Sequence, residues 1–283
     1  MKQAITKKTT LFAALLTVGL LALGNAQAAS GLDAVKAYMV ENGTRMLENS
    51  KKLSHAAEEY YEEAEEHHFK YPYLWKKYRQ EIVDWTDEMK KAWMAAHNNY
   101  EEVEGIVAGI PSLARYDLII DAGNPGTEKE DVAPYDLKLP DGKVLKRPGN
   151  LFHTLLEPAL WGTKKEYVGM EADLNGNGRV ELGEVLPKAD LLYAFAKTHT
   201  EWTQKMLDDV KAWQPNKDDL FTAMVTMGRR WAWPAGRARR AIGPGNPLIG
   251  LAKRAVSGVL VFAPQLADQV EFQAGSLGDL FVG

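Results

Sequence analysis

Twelve consecutive residues, Asp173-Leu-Asn-Gly-Asn-Gly-Arg-Val-Glu-Leu-Gly-Glu184, have the types and spacing to hold a hard cation. Calcium takes six to eight oxygen ligands, and an EF-hand loop supplies them from positions 1, 3, 5, 7, 9 and 12. Asp173, Asn175 and Asn177 present side-chain oxygens at the first three of these. Gly178 sits where the loop must turn sharply, Arg179 needs only its carbonyl, Glu181 acts through water, and Glu184 closes the site as a bidentate ligand. Only three carboxylates face the ion, which predicts modest affinity, roughly 10⁻⁵–10⁻³ M. The pattern occurs once, so a structural ion is expected rather than a paired sensor. The spacing predicts an entering helix over Thr163–Ala172, an exiting helix after Glu184, and Val180 packed beneath the loop.

The elements that must carry such a loop read as long helices. Gly31–His68 is proline-free, with apolar residues at helical spacing and a bend expected at Asn42-Gly43. Leu74 to about Ile110 is a second such stretch, stopped by Pro111. Residues 121–150 read as loop, with a small hairpin around Pro140-Asp141-Gly142. A short helix over Leu151–Trp161, a long one from about Pro187 to Trp213, and a last one from near Asp218 to Gly228 complete an antiparallel all-α bundle. Glu59, Glu63 and His67 share one stripe at i, i+4, i+8. That spacing suits either a metal ligand set or a solvated helix face. No zincin pair, nucleophile elbow, P-loop or dinucleotide fingerprint is present in the 283 residues.

Zero cysteines exclude disulfide frameworks, thiolate-bound zinc, iron–sulfur clusters and thiol nucleophiles. A net charge of −4 excludes a generally basic nucleic-acid binder. That charge is unevenly spread. Lys2, Lys7 and Lys8 precede an uncharged run from Leu11 to Leu23 and an Ala26-Gln27-Ala28 site. This pattern predicts a signal peptide over 1–28, cleavage before Ala29 and export to the periplasm. Residues 29–227 hold 24 basic and 35 acidic side chains, the acidic body of the protein. Residues 228–283 hold seven basic and three acidic, switch from Lys to Arg, and contain nine of the 24 glycines. This tail reads as an anionic-lipid contact, a plain extension, or a stretch translated out of the ancestral frame.

Two segments carry a family resemblance. Ala96-His97-Asn98-Asn99-Tyr100-Glu101-Glu102-Val103-Glu104 resembles the Ala-Arg-x-x-Tyr-Glu-x-x-Glu pattern of the imelysin-like proteins, with His97 in place of the Arg. His153, Glu157 and Leu160-Trp161-Gly162 resemble that family's Gly-x-His-x-x-Glu motif followed by Leu-Trp-Gly, with the histidine four residues before the glutamate instead of three. The resemblance spans roughly residues 30–215. It implies an exported helical bundle with an imidazole/carboxylate metal site where the helices bearing the two motifs meet. His153 and Glu157 are its expected ligands, and by helical phase Glu101 and Glu104 join them. Imidazole with carboxylate suits iron, zinc, copper or manganese. The expected work is metal binding, iron above all, for uptake or storage, with an inner-membrane permease or another uptake component as partner. The alternatives are an imelysin-type metallopeptidase and a calcium-stabilised scaffold without a transition metal.

Overall fold

The structure is a computed structural model and describes residues 31–127 and 131–232. The signal-peptide segment, its cleavage point and the tail beyond 232 lie outside the described residues. The chain is predominantly α-helical. Helix α1 (Gly31–Glu66) is unbroken, and Met39, Met46, Leu53, Tyr60 and Ala64 form its buried stripe. Fully burying each large apolar side chain is worth roughly 1.5–3 kcal/mol, so this stripe holds a helix of mixed propensity in place. The helix runs through Asn42-Gly43 without interruption.

The expected second helix is divided into three. Helix α2 (Tyr71–Lys77) ends at Tyr78, whose φ of −122° and ψ of 36° leave the helical region. Helix α3 (Arg79–Glu101) ends before Val103, at φ −122° and ψ −7°, and α4 (Glu104–Gly109) follows. Helix α5 (Ala114–Asp117) then runs into a π-helical turn, Leu118–Ala122. The expected hairpin is present, with β1 (Asp136–Lys138) antiparallel to β2 (Val144–Lys146). A second π-helical turn, Leu151–Leu156, continues into α6 (Glu157–Trp161). Gly162, at φ +68°, ends α6 in the left-handed conformation that glycine adopts without penalty.

Thr163–Ala172 does not form the expected entering helix. It is a 3₁₀ turn (Lys165–Tyr167) followed by β3 (Val168–Glu171), which pairs antiparallel with β4 (Val185–Pro187). Gly169 lets β3 lie against α2, since a Cβ there would stand 2.7 Å from the Tyr71 ring. The twelve-residue loop is therefore strand-flanked, and Val180 stands 51% exposed instead of packed beneath it.

Helix α7 (Ala189–Ala212) and helix α3 both run antiparallel to α1. Along one side Tyr38 donates to Glu102, Asn49 to Asn99, and Trp85 to Glu59. Along the other Lys36 donates to the Trp213 carbonyl, Thr200 to that of Ser50, and Tyr60 to that of Pro187. Gly43 gives α7 its close approach, since a Cβ there would meet Leu207 at 3.2 Å. Helix α8 (Lys217–Ala232) runs past the stop expected at Gly228, because one glycine costs a helix little. It packs on α4, with Ala223 against Gly109. No helix among the described residues is long and apolar enough to cross a membrane.

Candidate metal centre

Three chain segments bring one atom each to a common point. His97 comes from the last turns of α3, Asp121 from the first π turn, and His153 from the second. His97 Nε2 and His153 Nε2 are 3.2 Å apart. Asp121 Oδ1 lies 3.1 Å from His153 Nε2 and 3.7 Å from His97 Nε2. Ligands held at about 2.0–2.1 Å around a tetrahedral ion sit roughly 3.3–3.4 Å from one another. The triangle therefore has the size of a ligand set around one ion.

Local structure explains how the three segments meet. Asn150 caps the second π turn, its Oδ1 accepting from the backbone N–H of His153 (2.7 Å) and of Thr154 (3.1 Å). Its own N–H and its Nδ2 both donate to the Gly123 carbonyl, at 2.9 and 3.1 Å. One buried asparagine thus ties the His153 turn to the end of the Asp121 turn. Gly123 permits this junction, since a Cβ there would lie 2.0 Å from the Leu118 carbonyl oxygen. The Trp93 indole stacks on the His97 ring, with centroids 5.0 Å apart and planes 6° from parallel, which fixes the imidazole plane.

The second π turn also accounts for the histidine spacing. A π turn holds one residue more than an α turn, and such turns recur at functional sites. Across it His153 Nδ1 still meets Glu157 Oε2 at 2.7 Å. A carboxylate on the far ring nitrogen fixes the tautomer and orientation of a metal-binding imidazole. Glu157 accordingly sits behind His153 rather than beside it as a fellow ligand.

The two imidazoles titrate in opposite directions. The Asp121 carboxylate, opposed by partial burial and helped by Glu157, pushes His153 up to about 9. Burial, with the His153 charge beside it, lowers His97. At neutral pH His153 is therefore protonated, its Nδ1 facing Glu157 and its Nε2 facing Asp121. Asp121 Oδ1 is sealed from solvent, and its nearest charged partner is the His153 ring at 3.1 Å. Behind the centre His199 is fully buried against Phe152, and burial depresses it to about 3, so it stays neutral.

Of the four expected ligands, His153 lies in the triangle and Glu157 directly behind it. Glu101 reaches His97 Nε2 at 3.2 Å. Glu104 does not share its face, because the break at Val103 puts Glu104 on α4. There it converges with Asp117 and Asp121, their ligand atoms within 4.8 Å of one another. His97, Asp117 and Asp121 are additions from the structure. Asp117 and Asp121 stand four apart in a stretch whose end reads as loop, and His97 stands four before Glu101. Of the acidic stripe, Glu63 meets His67 at 3.1 Å while Glu59 turns to Trp85. Neither belongs to the three-ligand groups found among the described residues.

The twelve-residue loop folds around its own carboxylates. Asp173 accepts from the N–H groups of Gly176, Asn177 and Gly178. Asn175 Oδ1 accepts from Asn177, and Asn177 Oδ1 from Arg179. The two oxygens of Glu184 accept from Asn175 and Glu181 at 3.0 and 2.8 Å. Glu184 is buried while Glu181 remains exposed. Gly176 and Gly178, at φ +75° and +83°, supply the left-handed turns that let the acceptors face inward. The chain matches no protein family, curated protein or solved structure with which it was compared.

Proposed function

We propose that the protein binds a divalent transition-metal ion through His97, Asp121 and His153, for uptake or storage after export to the periplasm. The observation that carries this reading is the triangle of two imidazole nitrogens and one sealed carboxylate oxygen with edges of 3.1, 3.2 and 3.7 Å. Two imidazoles and a carboxylate with positions left for water or substrate suit iron(II), and the same donors suit zinc. The preference for iron draws on the imelysin-like resemblance of the segments around His97 and His153. The basic, apolar and Ala-x-Ala sequence pattern of residues 1–28 supports export. Calcium in the Asp173–Glu184 loop, through Asp173, Asn175, Asn177, the Arg179 carbonyl, Glu181 and Glu184, is a structural ion in this reading.

The test is metal analysis of the mature protein after anaerobic loading with iron(II) and dialysis against millimolar calcium. Stoichiometric iron that is lost in His153→Ala and in His97→Ala, with calcium retained, supports the proposal. Calcium alone in the unsubstituted protein would reduce it to a calcium-stabilised scaffold.

A further inference from the structure

We infer that His199 and Thr203 hold one buried water molecule on the inner face of helix α7, behind the candidate metal centre. The inference goes beyond the metal-binding reading and stands without it. The two residues are four apart on α7, so their side chains leave the same face of the helix with Cβ atoms about 5–6 Å apart. Both residues are fully buried, at 0% exposure. Their polar side-chain atoms, His199 Nδ1, His199 Nε2 and Thr203 Oγ1, are sealed from solvent and have no hydrogen-bond partner among the described residues.

Buried polar side chains are almost always paired, because a buried donor or acceptor without a partner forfeits its hydration for nothing in return. Other buried hydroxyls in this bundle meet that demand within their own helix. Ser50 and Thr86 each donate to the carbonyl four residues earlier, of Met46 and Ile82, at 2.7 Å. Thr203 makes no such bond to the His199 carbonyl. Its hydroxyl is free for a ligand shared with the imidazole one turn earlier.

The chemistry of the two groups selects the ligand. Burial holds the His199 ring neutral, so one nitrogen donates and the other accepts, and a hydroxyl does both. An ion is a poor occupant, because neither group carries charge and His199 belongs to none of the three-ligand groups among the described residues. Water donates and accepts, makes about three hydrogen bonds when buried, and spans two groups about 5–6 Å apart with arms of about 2.8 Å each. Held in this way, the His199 ring stays against Phe152, with centroids 4.6 Å apart. Phe152 in turn meets the edge-on His97 ring at 5.1 Å, so the water belongs to the floor of the candidate centre.

The experiment joins a high-resolution crystal structure of the metal-free mature chain to oxygen-17 magnetic relaxation dispersion, which counts long-lived internal waters in solution. The expected result is one water within about 3.2 Å of Thr203 Oγ1 and of a His199 nitrogen. The count of long-lived waters should fall by one in Thr203→Val and in His199→Phe. Circular dichroism shows whether each variant keeps the fold, and Thr203→Val, the closer match in shape, supplies the answer if His199→Phe unfolds. Absence of that water from the crystal, a direct His199–Thr203 hydrogen bond in its place, or an unchanged count in Thr203→Val overturns the inference. None of these outcomes bears on whether the His97, Asp121 and His153 triangle takes a metal ion.

Discussion

If the proposed centre takes up a metal ion, the ion must displace a proton, and that would fix the pH dependence of binding. His153 is held up to about 9 by Asp121, against partial burial and with help from Glu157. His97 is lowered by burial and brings no proton at neutral pH. Below about pH 9 an incoming ion therefore competes with one proton, and apparent Kd falls tenfold for each unit of rising pH. At pH 7 only about one molecule in a hundred has His153 neutral, which weakens apparent affinity about 100-fold relative to the fully deprotonated site. The ring is 40% exposed, so water screens the neighbouring carboxylates and trims the shift. The slope between pH 6.5 and 8 is unchanged so long as the pKa stays above that interval. Titration calorimetry with zinc at pH 7.0 and 8.0, in two buffers of different ionisation enthalpy, reads both quantities. The expected result is one proton released per ion and a tenfold tighter Kd at pH 8.0. A Kd that is equal at the two pH values, with no proton released, would refute the reasoning. Glu157→Gln removes one of the charges that holds the proton, so its Kd should change less over the same interval.

The same proton makes a statement about the metal-free fold. Its folded pKa lies above the ordinary histidine value, so its stabilisation is complete below about pH 6.5 and disappears as pH rises through about 9. Melting temperature without metal should fall over that window in the parent protein, and His153→Gln should flatten this part of the profile. Asn150→Ala removes a helix cap, worth about 1 kcal/mol, together with the tie to Gly123. Urea denaturation should show at least that loss, and zinc affinity should fall about tenfold or more because the His153 and Asp121 turns are no longer joined. Gly123→Ala forces a Cβ against the Leu118 carbonyl and should cost about 1–3 kcal/mol in the same assay. Calcium at 1 mM should raise unfolding free energy by about 0.4–2.7 kcal/mol for a Kd between 10⁻³ and 10⁻⁵ M, an effect that Asp173→Ala abolishes.

The helical frame was legible because its signals repeat. The buried stripe of α1 recurs at helical spacing over about seven turns, and Pro72 and Pro111 punctuate the elements on either side of α3. The hairpin was legible from Pro140-Asp141-Gly142 between short extended runs. The two π turns were not, since an i→i+5 hydrogen bond has no composition of its own. Their one trace in the sequence is the His153–Glu157 spacing. Asp121 was hidden for the same reason, at the end of a π turn whose last residues read as loop. His97 read as a replaced arginine, because its value as a ligand depends on Asp121 and His153, which are remote in the chain. The strands around the Asp173–Glu184 loop are three and four residues long, too short for alternation to announce them.

The clamp made by Asn150 also has a kinetic consequence. His97, Asp121 and His153 come from separate stretches of chain, and the tie between Asn150 and Gly123 exists only once two of those stretches have docked. The unfolded polypeptide thus offers no preformed set of donors, and an early folding intermediate lacking that tie offers an incomplete one. A bound ion should then leave the refolding rate nearly unchanged and act on the reverse step, slowing escape from the native state. Loaded with metal, the protein would gain lifetime rather than speed of assembly.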